Sequence, residues 1–173
     1  MHGNPTMPTY PALVTADLHL NDNPRDSYRH DFMLDTLPKY IRQFDPKYLI
    51  ILGDLTDEKD RHCAELVNAV VDYLHKYTEI VEEVIILRGN HDCLDPTQPF
   101  FGFVNKLPNV TWITNPEIKT YPELGICTFL PHTRDYKKDW AQFNFAPYKR
   151  DPNCGWIFCH NTFDGAVAGG NRK

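Results

Sequence analysis

The stretch ILRGNHDC, residues 86–93, ends an apolar run with the four residues Gly-Asn-His-Asp. Such residues are poor continuations of a buried strand, because asparagine and aspartate are depleted from strands. Asparagine, histidine and aspartate side chains can also bind metal ions. The stretch therefore predicts a strand that ends either in a tight turn or in a functional site, and the surrounding sequence has to decide between the two.

Short apolar runs alternate with amphipathic stretches on both sides of this segment, which is typical of an α/β domain. Three runs are rich in the residue types of buried strands, and they lie at residues 12–16, 48–52 and 84–87. Weaker strand patterns follow at residues 110–113, 118–121, 125–130 and 156–159. The predicted fold class is α/β.

Two helices are predicted between the strong strands. Residues 26–44 place Leu34, Leu37, Ile41 and Phe44 on one face, and Pro38 should kink or shorten this helix. Residues 61–77 repeat apolar side chains at helical spacing from 67 to 74. A shorter helix is predicted at residues 99–106, whereas residues 136–150 are expected to form a loop with a helical turn.

The length of 173 residues suits a single domain. Residues 1–11 read as a polar lead and residues 12–173 as the domain, whose glycine-rich ending, DGAVAGGNRK, suggests that its C-terminal part is missing. The formal charge of −5 argues against DNA binding through overall charge alone. Five cysteines without a CxxC pair and the absence of a long apolar segment predict a cytoplasmic protein with reduced thiols and no membrane contact.

Polar residues recur where the predicted strands end. Asp17 and His19 follow the first strand, Gly53, Asp54 and Asp57 the second, residues 89–92 the third, and His160 with Asn161 the last. In open α/β sheets, ligand sites lie outside the carboxyl ends of the strands. Four such strand ends therefore predict one convergent site rather than four unrelated turns.

The residue types at these ends favour a metal site. Oxygen and imidazole ligands suit Mn, Fe, Zn or Ni better than Ca or Mg. Asp17 and His19, two positions apart in extended backbone, can share one ion, and Asp54 can bridge two ions after the permissive Gly53. The alternative is that Asp57 caps a helix and that residues 89–92 form only a turn.

These motifs resemble those of the calcineurin-like metallophosphoesterases, over residues 13–165. The quoted elements are Asp17-Leu-His19, Gly53-Asp54-Leu-Thr-Asp57, Gly89-Asn90-His91-Asp92 and the later His160. The forms DLHL and CHNTFDG look most like the exonuclease-type branch, the nuclease subunits of double-strand-break repair complexes and their phage relatives. The resemblance implies a β-sandwich flanked by helices and a hydrolase of phosphate esters.

The resemblance also implies a role for each motif residue. Asp17, His19 and Asp54 would hold one divalent metal ion, and Asp54, Asn90 and His160 the second, with Mn favoured over Fe, Zn or Ni. His91 would protonate the leaving oxygen, Asp92 would orient His91, and a metal-bound hydroxide would attack the phosphorus. The family's Gly-His-x-His element has no counterpart after His160, which leaves open a truncated or degenerate module that only binds.

Weaker candidates for substrate binding are Arg61, His62, His132 and Arg134. Trp112, Trp140 and Trp156 are expected in the core, and His30 and His75 at exposed helix positions. The expected substrate is a phosphodiester, with DNA preferred, and a phosphatase or a cyclic-nucleotide phosphodiesterase of the same fold is the enzyme alternative. A homodimer or a partner subunit would be compatible with this function.

Overall fold

A four-stranded parallel sheet forms the centre of the chain. In the computed structural model, which describes residues 10–143 and 155–161, its strands run in sequence order. They are β1 (Ala12–Thr15), β2 (Tyr48–Leu52), β3 (Glu83–Leu87) and β4 (Val110–Ile113). All lie within one residue of the predicted ranges. Because every pair is parallel, the carboxyl ends of the four strands share one edge.

A second, three-stranded sheet packs on one face of the parallel sheet. It contains β5 (Glu117–Tyr121), β6 (Gly125–Leu130) and β7 (Trp156–Cys159), with β5 and β6 antiparallel and β6 and β7 parallel. Ile50, Ile85 and Leu87 of the first sheet belong to the same buried cluster as Cys127 and Phe129 of the second. This β-sandwich confirms the predicted fold class.

Helices cover the opposite face of the parallel sheet. They are α1 (Ser27–Asp31), α2 (Leu37–Phe44) and α3 (Ala64–Thr78), together with a 3₁₀ helix at Phe100–Lys106. Leu49 and Ile86 of the sheet are buried with Val70 and Leu74 of α3. Since neighbouring residues of a strand point to opposite faces, the apolar runs of β2 and β3 serve both layers of the core.

The first predicted helix is divided into several segments. A 3₁₀ turn at Pro24–Asp26 precedes α1, and a π-helical segment at Phe32–Thr36 joins α1 to α2. In this segment the Leu37 N–H donates to the Phe32 carbonyl, five residues back, which shifts the apolar face by one position. Met33 is consequently buried and Leu34 is 47% exposed, so the placement of Leu34 on the core face was wrong.

Four individual side chains test other predictions. Trp112 and Trp140 are buried as predicted, but Trp156 is 55% exposed because it begins β7, at the edge of the second sheet. His30 is half-buried rather than exposed, since its ring bonds to the Tyr73 hydroxyl and the Asn21 carbonyl. A short helix, α4 (Tyr136–Asp139), supplies the helical turn expected in residues 136–150.

Residues 1–9, 144–154 and 162–173 lie outside the described part of the chain, and with them most of the predicted polar lead and the glycine-rich ending. Within residues 10–143 and 155–161, no helix is both long and apolar enough to span a membrane.

Candidate metal centre

The loops after β1 and β2 carry the first ligand candidates in an unusual backbone conformation. Asp17, His19 and Asp54 have φ angles of 55°, 45° and 53°, and Gly53 has 79°. A left-handed conformation is uncommon for residues other than glycine, and it clusters at functional sites. This conformation turns consecutive motif residues away from the strand direction at the sheet edge.

Backbone hydrogen bonds hold these two loops together beyond the end of the sheet. The His19 N–H donates to the Asp54 carbonyl at 2.9 Å and the Asp17 N–H to the Gly53 carbonyl at 3.2 Å. The Arg29 guanidinium adds a hydrogen bond of 3.0 Å to the Leu18 carbonyl. The loops therefore extend the pairing of β1 with β2 and fix the relative positions of Asp17, His19 and Asp54.

Two glycines allow the loops after β2 and β3 to approach closely. A Cβ atom on Gly89 would lie 2.2 Å from Asp54 Oδ1 and 2.5 Å from the Asp54 backbone nitrogen. A Cβ atom on Gly53 would lie 2.5 Å from His160 Nδ1 and 2.7 Å from the Gly89 Cα. All four distances are shorter than real Cβ contacts, so glycine is required at each position.

Asp54 lies between two histidines. Its Oδ2 is 3.6 Å from His19 Nε2 and 3.5 Å from His160 Nε2. On the first side, Asp17 Oδ1 is 4.0 Å from His19 Nε2, and on the second, Asn90 Oδ1 is 3.0 Å from His160 Nε2. The five side chains predicted to hold metal thus form two groups that share the Asp54 carboxylate.

Hydrogen bonds and charge set the pKa values of Asp54 and His160. Burial alone would raise the pKa of Asp54, but hydrogen bonds from His160 and from the His91 backbone N–H lower it. Burial alone would lower the pKa of His160, but the bond to Asp54 and a 2.6 Å bond from Nδ1 to the Leu52 carbonyl raise it to about 9. Because a carbonyl only accepts, His160 Nδ1 carries a proton and Nε2 faces the carboxylate.

The donor set fits divalent ions. Metal bonds of roughly 2.0–2.2 Å place two ligands of one ion about 3–3.5 Å apart. The contacts of Asp54 Oδ2 with the two histidines are close to that range. The hydrogen bond from His160 Nδ1 to the Leu52 carbonyl is also the usual arrangement for a metal-binding histidine, because it orients the ring and leaves Nε2 for the ion.

The His91 side chain lies beside the two ligand groups and is not one of the five predicted ligands. Its Nδ1 donates to the Asp57 carbonyl at 2.6 Å, which leaves Nε2 without that proton. The ring packs edge-on against His19, with centroids 4.8 Å apart, and the side chain is 35% exposed. An imidazole held in this way beside the candidate metal centre can exchange a proton with a bound substrate.

The structure gives Asp92, which was predicted to orient His91, a different set of hydrogen-bond partners. Asp92 is 1% exposed, and its carboxylate accepts the backbone N–H groups of Asp54, Leu55 and Gly89. Burial raises its pKa despite these three bonds. The side chain instead joins the loop after β2 to the loop after β3, since a buried carboxylate takes the donors that reach it.

Asp57 was placed at a strand end of the predicted site but was not counted among its metal or catalytic residues. Its carbonyl holds His91, and its Oδ1 lies 3.2 Å from His19 Nδ1, a close contact that is not aligned as a hydrogen bond. His19, Asp57 and His91 form a second group of potential metal ligands. The sequence placed Asp57 at the second strand end of the predicted convergent site, with a helix cap as the alternative; Cys63 caps α3 instead.

The weaker candidates divide into two pairs. His132 and Arg134 line a cavity of about 860 Å³, here named the side cavity, which also borders Gly89 and Asn90. Arg61 and His62 do not line it; the His62 ring packs against Phe100 and Phe101 instead, with centroids 4.5 and 5.0 Å away. Arg61 is exposed.

Comparisons with known proteins agree with these motifs. The sequence matches the model of calcineurin-like phosphoesterases over residues 10–165. Among solved structures, it is similar to the Pseudomonas putida nuclease MPE, with 25% identity and a TM-score of 0.47, over 70% of this chain and 54% of that chain. The chain thus spans about half the length of that structure, and no curated protein matches the sequence. Because the family match covers nearly the whole chain, the chain belongs to the calcineurin-like phosphoesterases, a family of hydrolases that act on phosphate esters.

Proposed function

We propose that this chain carries the active centre of a metal-dependent phosphodiesterase with two metal ions and a preference for DNA. The observation that carries the proposal is the position of Asp54 Oδ2, within 3.6 Å of His19 Nε2 and 3.5 Å of His160 Nε2. A carboxylate between two groups of ligands is the arrangement that supports a pair of ions. The DLHL and HNTFDG forms of the motifs favour an exonuclease-like substrate.

Two ion positions follow from the two ligand groups. Asp17, His19 and Asp54 would hold the first ion, and Asp54, Asn90 and His160 the second. Divalent ions in these positions would polarise the phosphoryl group and activate water at neutral pH. Manganese suits this mixture of carboxylate, amide and imidazole ligands.

His91 supplies the proton that the leaving oxygen requires. Since Nδ1–H is engaged by the Asp57 carbonyl, Nε2 is the atom that can carry and release a second proton. The partial exposure of the side chain lets a substrate reach it. The fixed carbonyl partner keeps the ring in one orientation, which general acid catalysis needs.

Hydrolysis and metal content test the proposal together. The purified chain should bind two Mn²⁺ ions and cleave bis(4-nitrophenyl) phosphate. It should also degrade DNA faster than it hydrolyses the monoester 4-nitrophenyl phosphate. Asp54→Asn should lose activity by at least about a hundredfold, since the shared ligand is removed. Lys106→Ala, an exposed change at the end of the 3₁₀ helix, is the control. Equal rates for wild type and Asp54→Asn would contradict the two-ion centre.

A further inference from the structure

The side cavity carries positive charge in an acidic chain. Four of the side chains that line it are basic and two are acidic, whereas the whole chain has a formal charge of −5. The basic residues are Lys59, Arg88, Arg134 and Lys138. Clefts that concentrate one sign of charge between low-dielectric walls attract ligands of the opposite sign. The cavity is therefore suited to an anion.

The two acidic residues of the side cavity are engaged in local structure. The Asp135 carboxylate accepts the Lys138 backbone N–H at 3.2 Å and caps α4. The Asp139 carboxylate accepts the Thr133 hydroxyl. Within residues 10–143 and 155–161, neither carboxylate forms an ion pair with a basic residue of the cavity, and the four basic and two acidic side chains leave a formal charge of +2.

Arg88 is the most unusual of the basic residues. It is only 7% exposed, and within the described part of the chain no carboxylate pairs with it. Its guanidinium donates to the Thr114 carbonyl at 3.2 Å and to the His132 carbonyl at 2.7 Å, with a weak contact of 3.9 Å to Cys93 Sγ. A buried charge without a counter-charge is costly, and a guanidinium has five N–H donors.

The position of Arg88 next to the candidate metal centre also favours an anionic ligand. Arg88 directly precedes Gly89 and Asn90, which line the side cavity and border the candidate metal centre. The hydrogen bonds that the guanidinium donates to the Thr114 and His132 carbonyls hold it in place, so the side chain does not have to be reoriented when an anion binds. A volume of about 860 Å³ also leaves room for a nucleotide beside the scissile phosphate.

We propose that the side cavity binds a second phosphate of the substrate, adjacent to the one that is hydrolysed, and that Arg88 is the fixed charge that recognises it. This inference rests on the proposed function and narrows its substrate class to nucleotide strands with a phosphate next to the scissile bond. Arg134 and Lys138, both exposed at the rim, would assist as mobile charges. Guanidinium groups are well suited to phosphate because of their planar fork of donors.

Two dinucleotides that differ by one phosphate test the inference. Thymidylyl-thymidine contains only the diester, and its 5′-phosphorylated form adds the second phosphate. In NMR titrations with EDTA, the phosphorylated dinucleotide should bind at least about tenfold more tightly to wild type and shift the Arg88 Nε–H resonance. With Mn²⁺, its KM should be lower by a similar factor.

Variants test which residues cause the preference for the phosphorylated dinucleotide. Arg88→Met should reduce the preference for the phosphorylated dinucleotide to less than about twofold, while binding of the other dinucleotide stays the same. The exposed double variant Arg134→Ala and Lys138→Ala should weaken the preference in part, and it keeps the test available if Arg88→Met does not fold. Arg42→Ala, which removes the same charge from the exposed face of α2, should change nothing.

The outcomes separate this inference from the proposed function. Equal affinity and KM for both dinucleotides in wild type would overturn the second-phosphate subsite, even if both were hydrolysed. Preferential binding without hydrolysis of either dinucleotide would support the subsite and count against the proposed function. If inorganic pyrophosphate displaces the phosphorylated dinucleotide at equal concentration, the cavity recognises small bisphosphates, and the restriction to nucleotide strands is wrong.

Discussion

At the residue scale, Asp57 connects two histidines for which different roles are proposed. Its side chain lies 3.2 Å from His19 Nδ1, and its backbone carbonyl accepts the Nδ1–H of His91 at 2.6 Å. Replacement of the side chain removes the first contact and leaves the second. The two functions of one residue can therefore be separated by mutation.

Asp57→Ala should weaken Mn²⁺ binding by about 10–100-fold, because its carboxylate contacts His19 and belongs to a group of potential ligands, and loss of carboxylates around a metal site has effects of this size. Isothermal titration calorimetry with Mn²⁺ would measure the loss. The melting temperature should hardly change, since the Asp57 side chain is 49% exposed. Glu58→Gln, the neighbouring exposed position, is the matched control. If both variants bind Mn²⁺ like wild type, Asp57 does not position His19.

Asp92 should behave as a structural residue. In Asp92→Asn, one carboxylate oxygen becomes an NH₂ group that faces backbone N–H donors, so at least one of the three bonds is lost. We expect about 2–3 kcal/mol less unfolding free energy, measured by urea denaturation. Asp95→Asn, which affects an exposed turn at Thr97, should cost far less. An unchanged stability with a lost pH optimum would instead restore the catalytic role predicted from the sequence.

For Asp57 and Asp92, the sequence predicted a position near the site but not the hydrogen-bond partners of the side chains. The ligand candidates follow from residue types at strand ends, because parallel strands bring those ends together. Which N–H or imidazole a carboxylate reaches depends on a few ångströms of loop geometry. The left-handed backbone of Asp54, and the close approach of Gly89, place the donors around Asp92 and could not be read from the order of residues.

At the element scale, the distance between the loops after β2 and β3 is set by glycine. Gly89→Ala would force a Cβ atom to within 2.2 Å of Asp54 Oδ1, so the Asp54 carboxylate or the backbone has to move. We expect a loss of about 2–3 kcal/mol in unfolding free energy together with weaker Mn²⁺ binding. Urea denaturation and calorimetry would measure the two effects.

Gly102→Ala is the matched control for Gly89→Ala. In the 3₁₀ helix, the nearest atom to a Cβ atom on Gly102 is a Pro99 side-chain carbon at 3.4 Å, an ordinary contact. This variant should keep wild-type stability within about 1 kcal/mol and bind Mn²⁺ normally. Similar losses in both variants would mean that close contact with Asp54 is not the reason for Gly89.

The helices illustrate why some elements were harder to predict than the strands. The strands are set by apolar runs whose types leave few alternatives. In the first helix, Pro38 has no N–H to donate, and the chain compensates with a π-helical segment just before it. That segment exchanges Leu34 for Met33 on the buried face, a change of register that a fixed period of 3.6 residues cannot describe.

At the scale of the whole molecule, the sandwich depends on contacts between sheets that are distant in sequence. The buried layer joins Ile50 and Ile85 to Phe129 and Phe158. Because His160 follows β7, the packing of the second sheet against the first determines how His160 meets Asp54. The sequence predicted that these strand ends converge, whereas the sheet order and its mixed direction were visible only in the structure.

Glu123 connects the two sheets at the end opposite the candidate metal centre, and it allows a pH test of their association. It accepts hydrogen bonds from Lys47 and, at 2.8 Å, from the Tyr48 hydroxyl at the start of β2. The Lys47 and Tyr48 hydrogen bonds lower the pKa of Glu123 below its ordinary value of 4.5. The carboxylate therefore stabilises the fold above pH 4.5, and this contribution disappears as the pH falls through the lowered pKa.

Glu123→Gln should lower the urea midpoint at pH 7, and the difference from wild type should shrink as the pH is reduced from 5 to 3. The reason is that acid removes the charge of Glu123 in wild type, while the glutamine variant has no charge to lose. Glu79→Gln, whose side chain is 66% exposed at the C-cap of α3, should show little difference at any pH. If the difference in urea midpoint between wild type and Glu123→Gln is constant across this range, the shape of the Glu123 side chain, and not its ionised carboxylate, joins the sheets at this end.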